Sequence, residues 1–421
     1  MSSHERHDVS ASPIHADEIE RRDHRRLGRE LDLFSLQEAI GPGLVLWHPR
    51  GALVRKRMED WWRDAHLARN YQFVASPPVG RGELWERSGH LAQYRDSMFP
   101  PMHLEAREVF LKPMNCPFHL QIVKARRRRR EELPLRLCEL GQVYRHEASG
   151  ALHGLFRARG FVQDDAHLVC APEQAEAEVA GVLAFALELL AAFGFHDARV
   201  VLSSRPARFV GEVADWDAAE RALASAAERL GVALSLQPGA GAFYGPKLDV
   251  LIRDAVGREW QCSSVQFDFN LPRAFELSFD DAGVARQPVV IHRALFGSLE
   301  RFFAILLEHC AGAFPAWLAP EQVRVLPVDE ASGPYAREVL ARLEDVGVSA
   351  SLSMGGNLGP RGRAADLEHV PLLAIVGARE RAGRSVSLRG RASASLGDVP
   401  VDALAAKVAP LLQRPPVRRR P

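Results

Sequence analysis

LRLCELGQVYRHEASGALHGLFRARGFVQDDAHLVC, from Leu135 to Cys170, is the stretch that decides the fold. It reads as two half-buried strands joined by a polar, glycine-bearing loop. Arg145 and Glu147 stand at the end of the first strand, and Arg157 and Arg159 open the second. Side chains on a strand alternate between faces with period two. Phe161, Gln163, Asp165 and His167 therefore point the same way. A strand with a purely structural role would turn apolar residues to its buried face. An aromatic ring, an amide, a carboxylate and an imidazole in one row read instead as the floor of a site.

The rest of the chain sets the frame. Its 421 residues are long for one core, so two domains are expected. A net charge of +1, with 47% hydrophobic and 25% charged residues, is ordinary for a globular protein and demands no polyanionic partner. Any such binding would have to come from a local patch such as Arg126 to Arg130, although a run of this kind is most often a solvated face. Five scattered cysteines without a C-x-x-C pair fit a reducing cytoplasm. The polar N-terminus does not read as a secretory signal. Val179 to Phe195, the most apolar helix, is interrupted by Glu188 and reads as buried and amphipathic, not as a membrane span.

In order, residues 1–22 read as a disordered tail. Residues 23–318 follow as one mixed helix-and-strand domain. Within it Ala52 to Tyr71 is a helix with Leu53, Met58, Trp61, Trp62 and Leu67 on one side. It runs into a strand that stops at Pro77, the mark of an edge or an interface. Leu111 to Val123 is a strand, a Pro-flanked corner and a helix start. Cys116 sits at the corner, where a lone cysteine is usually a small buried hydrophobe. In Glu259 to Asp268, period two puts Gln261, Ser263, Val265 and Phe267 on one face and Cys262, Ser264, Gln266 and Asp268 on the other. Two glutamines in one strand hint at a polar cavity. Val289 to Phe303 is a strand carrying His292, then a helix bearing Arg301. Residues 319–413 alternate strand and helix as a smaller α/β unit, and 414–421 read as a basic, disordered tail.

No phosphate-binding loop of the G-x-x-x-x-G-K-[ST] kind and no G-x-G-x-x-G after a strand is present. Arginines on strands (Arg145, Arg157) and at a helix start (Arg301) nevertheless suit a polyphosphate, and Phe161 beside them suits a base. With these residues in view the chain resembles the threonyl-tRNA synthetase family of class II aminoacyl-tRNA synthetases, from about Asp23 to about Leu412. DHRRLGRELDLF and GPGLVLWHPRG look like its entry to the catalytic domain. The helix and strand ending at Pro77 look like motif 1, YRHEASGALHGLFRARGF like motif 2 and FGSLERF like motif 3. KPMNCP, QDDAH and IHRA look like the segments that gather a zinc ion.

The resemblance implies an α+β fold: an antiparallel class II sheet flanked by helices, followed by an anticodon-binding-type domain. It implies Cys116, His167 and His292 as zinc ligands with a fourth position left for substrate. Met114, Gln163, Asp165, Tyr244 and Gln266 would shape the threonine pocket. Arg145 would grip the α-phosphate, Glu147 and Phe161 the adenine, and Arg157 and Arg301 the outer phosphates with Mg²⁺, with Lys247 and Gln261 as further contacts. The implied activity is threonine activation by ATP and transfer to tRNA(Thr), in a cytoplasmic homodimer joined through motif 1 and without a membrane partner. The loop from Ala148 to Phe156, which reaches the acceptor end of tRNA in the family, is full length.

Several features depart from the family pattern. The sequence starts near the catalytic core, so an editing domain is expected to be missing. Phe118 stands where N-C-P-G-H has Gly, and a bulky ring there is expected at the pocket rim. Ser263-Ser264 replaces Gly-Thr. In place of R-N-E-K-I-G-[FY]-K-I-R-E, on the anticodon-binding face, stands Met354 to Asp366, MGGNLGPRGRAAD. Two alternatives therefore stay open: a threonine-activating enzyme that passes threonine to a carrier protein or small metabolite, and a non-catalytic tRNA-binding or regulatory paralogue.

Overall fold

The computed structural model describes residues 16–419. Its centre is an eight-stranded sheet. The strand order is Leu234–Gln237, Ala198–Ser203, Lys247–Arg253, Glu259–Asp268, Val289–Ser298, Gly160–Cys170, Leu135–Tyr144 and Gln72–Phe73. The six inner strands are antiparallel to their neighbours, and each outer strand adds in parallel. Helices Ala175–Ala192 and Leu299–His309 pack on one face of this sheet. The main core forms there, around fully buried Trp61, Trp62, Trp216, Phe185 and Phe302. Burying one such side chain contributes about 1.5–3 kcal/mol. The opposite face stays free for chemistry. The α+β expectation holds.

Two bulges shape that free face. Ala294 pairs with Asp165 but Ser298 pairs with Gln163, so two extra residues bow out of strand Val289–Ser298. The backbone N–H groups of Leu295 and Phe296 leave the ladder and donate to Asp164 Oδ2, at 3.0 and 2.7 Å. A second irregularity pairs Leu251 with Gln261 but Val250 with Ser263. Beyond it, strict alternation is lost.

A five-stranded sheet follows, ordered Ala350–Leu352, Val323–Pro327, Leu372–Val376, Ser385–Gly390 and Ser395–Pro400. Its first three strands are parallel and the rest antiparallel. It holds a separate apolar core around Val325, Ala374, Val386 and Leu388. Arg57 reaches across from helix Pro49–Leu67 to Ser349 Oγ at 2.6 Å, and Arg391 returns to the carbonyl of Phe314 at 2.7 Å.

Three expectations need correction. Residues 1–15 lie outside the described residues, but 16–22 are not a disordered tail. Ala16–Arg22 is a helix with acids in its first turn and arginines in its last, as its dipole favours. Arg22 ties it to the carbonyls of Glu308 and His309. Leu67 is exposed, and Val54, Ala65 and His66 complete the buried stripe in its place. The basic tail is also docked through Arg418, while residues 420–421 lie outside the described residues. Arg414 pairs with Asp64 at 2.7 Å, Trp61 Nε1 donates to the carbonyl of Pro415 at 3.0 Å, and Arg418 N donates to Glu188 at 3.3 Å. Val417 packs on the main core. Composition favoured disorder, but one buried indole N–H needed an acceptor and the tail supplies it.

Ending the chain after Leu412 should therefore lower the melting temperature by about 2–4 °C, a shift of the size that about 1 kcal/mol produces in a large domain. Differential scanning fluorimetry of the two proteins measures it.

Candidate functional site

The second hairpin strand behaves as its pattern requires. Val162, Ala166 and Leu168 face the main core, while Phe161, Gln163, Asp165 and His167 face the free side. His167 lies directly opposite His292 on the neighbouring strand, and their rings meet edge to face at 4.6 Å. Cys116 opens helix Cys116–Lys124 and comes in from above the sheet. One ligand atom from each of the three lies within 4.8 Å of the others, and all three residues are buried.

Their hydrogen bonds fix which nitrogens are free. Glu139 accepts from His119 Nε2 at 3.1 Å, so His119 Nδ1 is left as an acceptor for His167 Nδ1–H at 2.8 Å. That leaves the lone pair of His167 Nε2 unused. His292 Nε2 donates to Asp268 at 2.8 Å, leaving its Nδ1. Burial pushes the Cys116 thiol well up and the His167 imidazole well down. A bound cation reverses the first effect and exploits the second, because metal ligands must be thiolate and neutral imidazole. Outer partners of this kind orient ligating histidines. The set fits a borderline ion such as zinc with an open fourth position.

Asp165 sits at the rim of this centre, its Oδ2 held by Asn115 Nδ2 at 3.0 Å and its Oδ1 3.9 Å from His167 Nε2. Burial raises its pKa. Gly141 makes the arrangement possible, because a Cβ there would lie 2.4 Å from the Asn115 amide. On one side opens a cavity of about 570 Å³ lined by Arg145, Glu147, Arg157, Phe161, Gln163, Gln261 and Arg301. The Arg145 guanidinium stands 5.1 Å from the Phe161 ring and 5.7 Å from that of Tyr94. Arg157 pairs with Glu147 at 2.7 Å. Gln163 Oε1 and Arg301 Nε are buried without partners, as is Asn115 Oδ1. Orphaned polar atoms on residues that line a cavity, as Gln163 and Arg301 do, mark a place for a ligand.

The expected site residues divide between three places. Met114 and Tyr244 line a second, more apolar cavity of about 430 Å³ beyond Cys116. Tyr244 donates to Gln266 Oε1 at 2.8 Å, which sets Gln266 at the metal-like centre beside His292. Period two put Gln261 opposite Gln266. The bulge turns it to the same side, where Gln261 Nε2 and Ser264 Oγ both reach Asp249 Oδ1. Lys247 lines neither cavity, and its ammonium pairs with Asp249 at 2.7 Å. Ser263 Oγ is spent on the carbonyl of Leu295. Phe118 packs against Trp85 and over Gly80 in a satellite cluster, and lines neither cavity. Arg126, Arg127, Arg128 and Arg130 each find a carboxylate on Glu132, Asp280 or Glu173, so four of the five arginines of the run are ion-paired on the protein's own surface.

Sequence reasoning missed His119, Glu139, Asn115, Asp249 and His90. His119 had a signal, since it stands one helical turn after Cys116. His90 bonds Ser88 Oγ at 2.7 Å and Met114 Sδ at 3.1 Å, and burial lowers its pKa to about 4.

Residues 102–310 match the family model "tRNA synthetase class II core domain (G, H, P, S and T)", and residues 322–411 match "Anticodon binding domain". The chain is 49% identical over 383 residues to a threonine–tRNA ligase from Synechococcus sp. (strain CC9605), covering 90% of this chain and 63% of that one. It is 47% identical over 385 residues to one from Aquifex aeolicus (strain VF5), with 91% and 60% covered. The chain thus spans about 63% of the length of the first of these relatives. Among solved structures, the RNA binding domain of threonyl-tRNA synthetase from Cryptosporidium parvum Iowa II superposes with TM-score 0.89 at 37% identity, covering 94% of this chain and 99% of that one. A putative threonyl-tRNA synthetase from Aeropyrum pernix gives TM-score 0.80 at 29% identity, with 94% and 97% covered.

Neighbouring aspartates on opposite faces should separate in a stability test. Asp164 is fully buried and pairs with Arg293 Nη1 at 2.7 Å besides holding the bulge. Asp164→Asn should cost about 3–5 kcal/mol, the range for stranding a buried charge. Asp165→Asn should cost less than about 1 kcal/mol, because its carboxyl already meets a burial penalty. Urea midpoints measure both.

Proposed function

The chain belongs to the threonyl-tRNA synthetase family, and from that premise we propose that it activates L-threonine with ATP and transfers it to tRNA(Thr). The observation that carries this reading is the buried Cys116–His167–His292 set with Asp165 at its rim and an arginine-lined cavity alongside. Zinc held by those three residues would bind the amino and hydroxyl groups of threonine, which valine cannot match because it lacks the hydroxyl. Asp165 Oδ1 accepts the hydroxyl proton while Asn115 keeps the carboxyl turned inward. Gln266, fixed by Tyr244, and Gln163, with its free Oε1, complete the pocket.

ATP enters the larger cavity with its base on Phe161. A threonine carboxylate oxygen attacks the α-phosphorus, the bond to the β-phosphate oxygen breaks, and pyrophosphate leaves. Arg145, already poised over Phe161, neutralises the charge that builds on the α-phosphate. The outer phosphates, with Mg²⁺, take the unpartnered Nε side of Arg301 and draw Arg157 from Glu147, freeing that carboxylate for the adenine amino group. A terminal ribose hydroxyl of tRNA then attacks the carbonyl carbon and AMP leaves. Gln261, brought round by the bulge, faces this cavity. Lys247 acts through Asp249, which holds Gln261 and Ser264 in place.

We propose the homodimer contact at the outer strand Gln72–Phe73, where Phe73 on the sheet edge and Leu67 at the end of helix Pro49–Leu67 are exposed. The five free thiols suit a cytoplasmic enzyme. One observation favours a second acceptor, a carrier protein or small metabolite. Before and within helix Leu358–Leu367, the face offers Gly355, Gly356, Gly359 and Gly362, and Arg361 is spent on the carbonyls of Ser353 and Pro327. That leaves few side chains there to read bases.

Pyrophosphate exchange tests the activation step. Threonine should support it, serine should be weaker by roughly 10–200-fold for the missing methyl, and valine should fail. No exchange with threonine sinks the enzyme reading. Cys116→Ser should lose zinc and exchange together; full zinc occupancy in that variant would refute the ligand set. Brisk exchange without charging of total tRNA would move the proposal to the second acceptor.

A further inference from the structure

Helix His24–Glu30 begins with a histidine that the activation chemistry above leaves unused. His24 is completely buried. Its Nδ1 and backbone N–H both meet Glu308 Oε1, at 2.6 and 2.9 Å, and its Nε2 accepts from the backbone N–H of Leu155 at 3.1 Å. An acceptor at Nε2 places the proton on Nδ1, so the ring is a neutral bridge from helix Leu299–His309 to the loop 148–159. Asp23, His24 and Glu308 cluster closely enough to hold a metal, but every ligand atom is taken: Asp23 by Arg25, and Glu308 Oε2 by Arg258. The cluster is an anchor.

The loop above it forms a wall of the larger cavity. Phe156 lies 4.3 Å from the His24 ring and stacks on Trp260 at 4.3 Å with 26° between planes. Trp260 Nε1 donates to Asp254, which also holds Arg258, and the Arg301 guanidinium stands 5.6 Å from the Trp260 ring. Helix Leu299–His309 thus carries the phosphate-facing Arg301 at one end and the loop's anchor, Glu308, at the other. Gly154 has φ +53°, and a Cβ there would lie 2.1 Å from His24 Nε2. The loop can approach the imidazole this closely because residue 154 is glycine.

We propose that His24 is a positioning residue for the nucleotide side of the site: through the Leu155 N–H it locks loop 148–159 so that Phe156 caps Trp260 and Arg157 faces the cavity. The proposal rests on the activation reading above, but not its structural half.

His24→Asn keeps a donor near the Nδ1 position for Glu308 and removes the acceptor at Nε2. His24→Gln places an amide oxygen near Nε2. In pyrophosphate exchange, the asparagine variant should raise KM for ATP about tenfold, the scale of one lost buried hydrogen bond, with KM for threonine and zinc content unchanged. The glutamine variant should recover most of the loss. Gly154→Ala should reproduce the ATP defect, and combining it with His24→Asn should add nothing. Amide hydrogen exchange of the peptide containing Leu155 should accelerate in the asparagine variant, a readout that needs no activity. Unchanged Leu155 protection overturns the anchor. Accelerated exchange with KM for ATP and threonine rising equally overturns its assignment to the nucleotide side. A wild-type protein without exchange activity but with His24-dependent Leu155 protection would sink the activation reading alone.

Discussion

Two imidazoles set opposite each other on adjacent antiparallel strands are a costly thing to bury, and the sheet is arranged around that cost. His167 and His292 share one rung of the ladder, with Gln266 on the next strand and Leu137 on the other side. Each imidazole spends one nitrogen on a fixed partner, His119 or Asp268, and aims the other inward. The Glu139 carboxylate that ends the first chain is itself held by Lys112 and Ser76. Buried polar networks stabilise when every member is satisfied and become liabilities when one is not. Among the unsatisfied buried atoms, Gln163 Oε1 and Arg301 Nε belong to the lining of the larger cavity, where a substrate would complete them.

The same sheet separates structure from chemistry by parity. Asp164 and Asp165 are adjacent, yet one holds a bulge and a buried arginine while the other faces the centre. Bulges then adjust what parity alone would forbid. Without the one at Cys262, Gln261 would point into the main core, where an amide has no partner. With it, Asp249 gathers Gln261, Ser264 and Lys247 into one cluster beside the cavity.

Much of this was legible in the sequence because it follows from period two. The row Phe161, Gln163, Asp165 and His167 needed no more than strand alternation. Joining Cys116 and His292 to it needed the family resemblance, since residues 51 and 125 positions away carry no local signal. Gln261 was misplaced because a bulge leaves no composition signature. Lys247 was read as one of the further ATP- and substrate-side contacts, and a carboxylate two residues along the same strand face pairs with it. The polyarginine run and the proline–arginine tail show the limit of composition. The first is largely ion-paired, by the adjacent Glu132 and by Asp280 and Glu173 from distant segments. The second is held by a buried indole, one valine, an ion pair to Asp64 and a hydrogen bond to Glu188. Phe118, whose bulk suggested a changed pocket rim, turned into a neighbouring apolar cluster that its flanking residues did not announce.

The central claim is that three side chains on this sheet face hold zinc with room for threonine. X-ray absorption at the zinc edge tests it most directly, on the purified protein with and without L-threonine. The account predicts one sulfur at about 2.3 Å and two imidazole nitrogens at about 2.0–2.1 Å, with the light-atom shell changing on addition of threonine and not of valine. A protein that binds no zinc, or a zinc shell without sulfur, would contradict it.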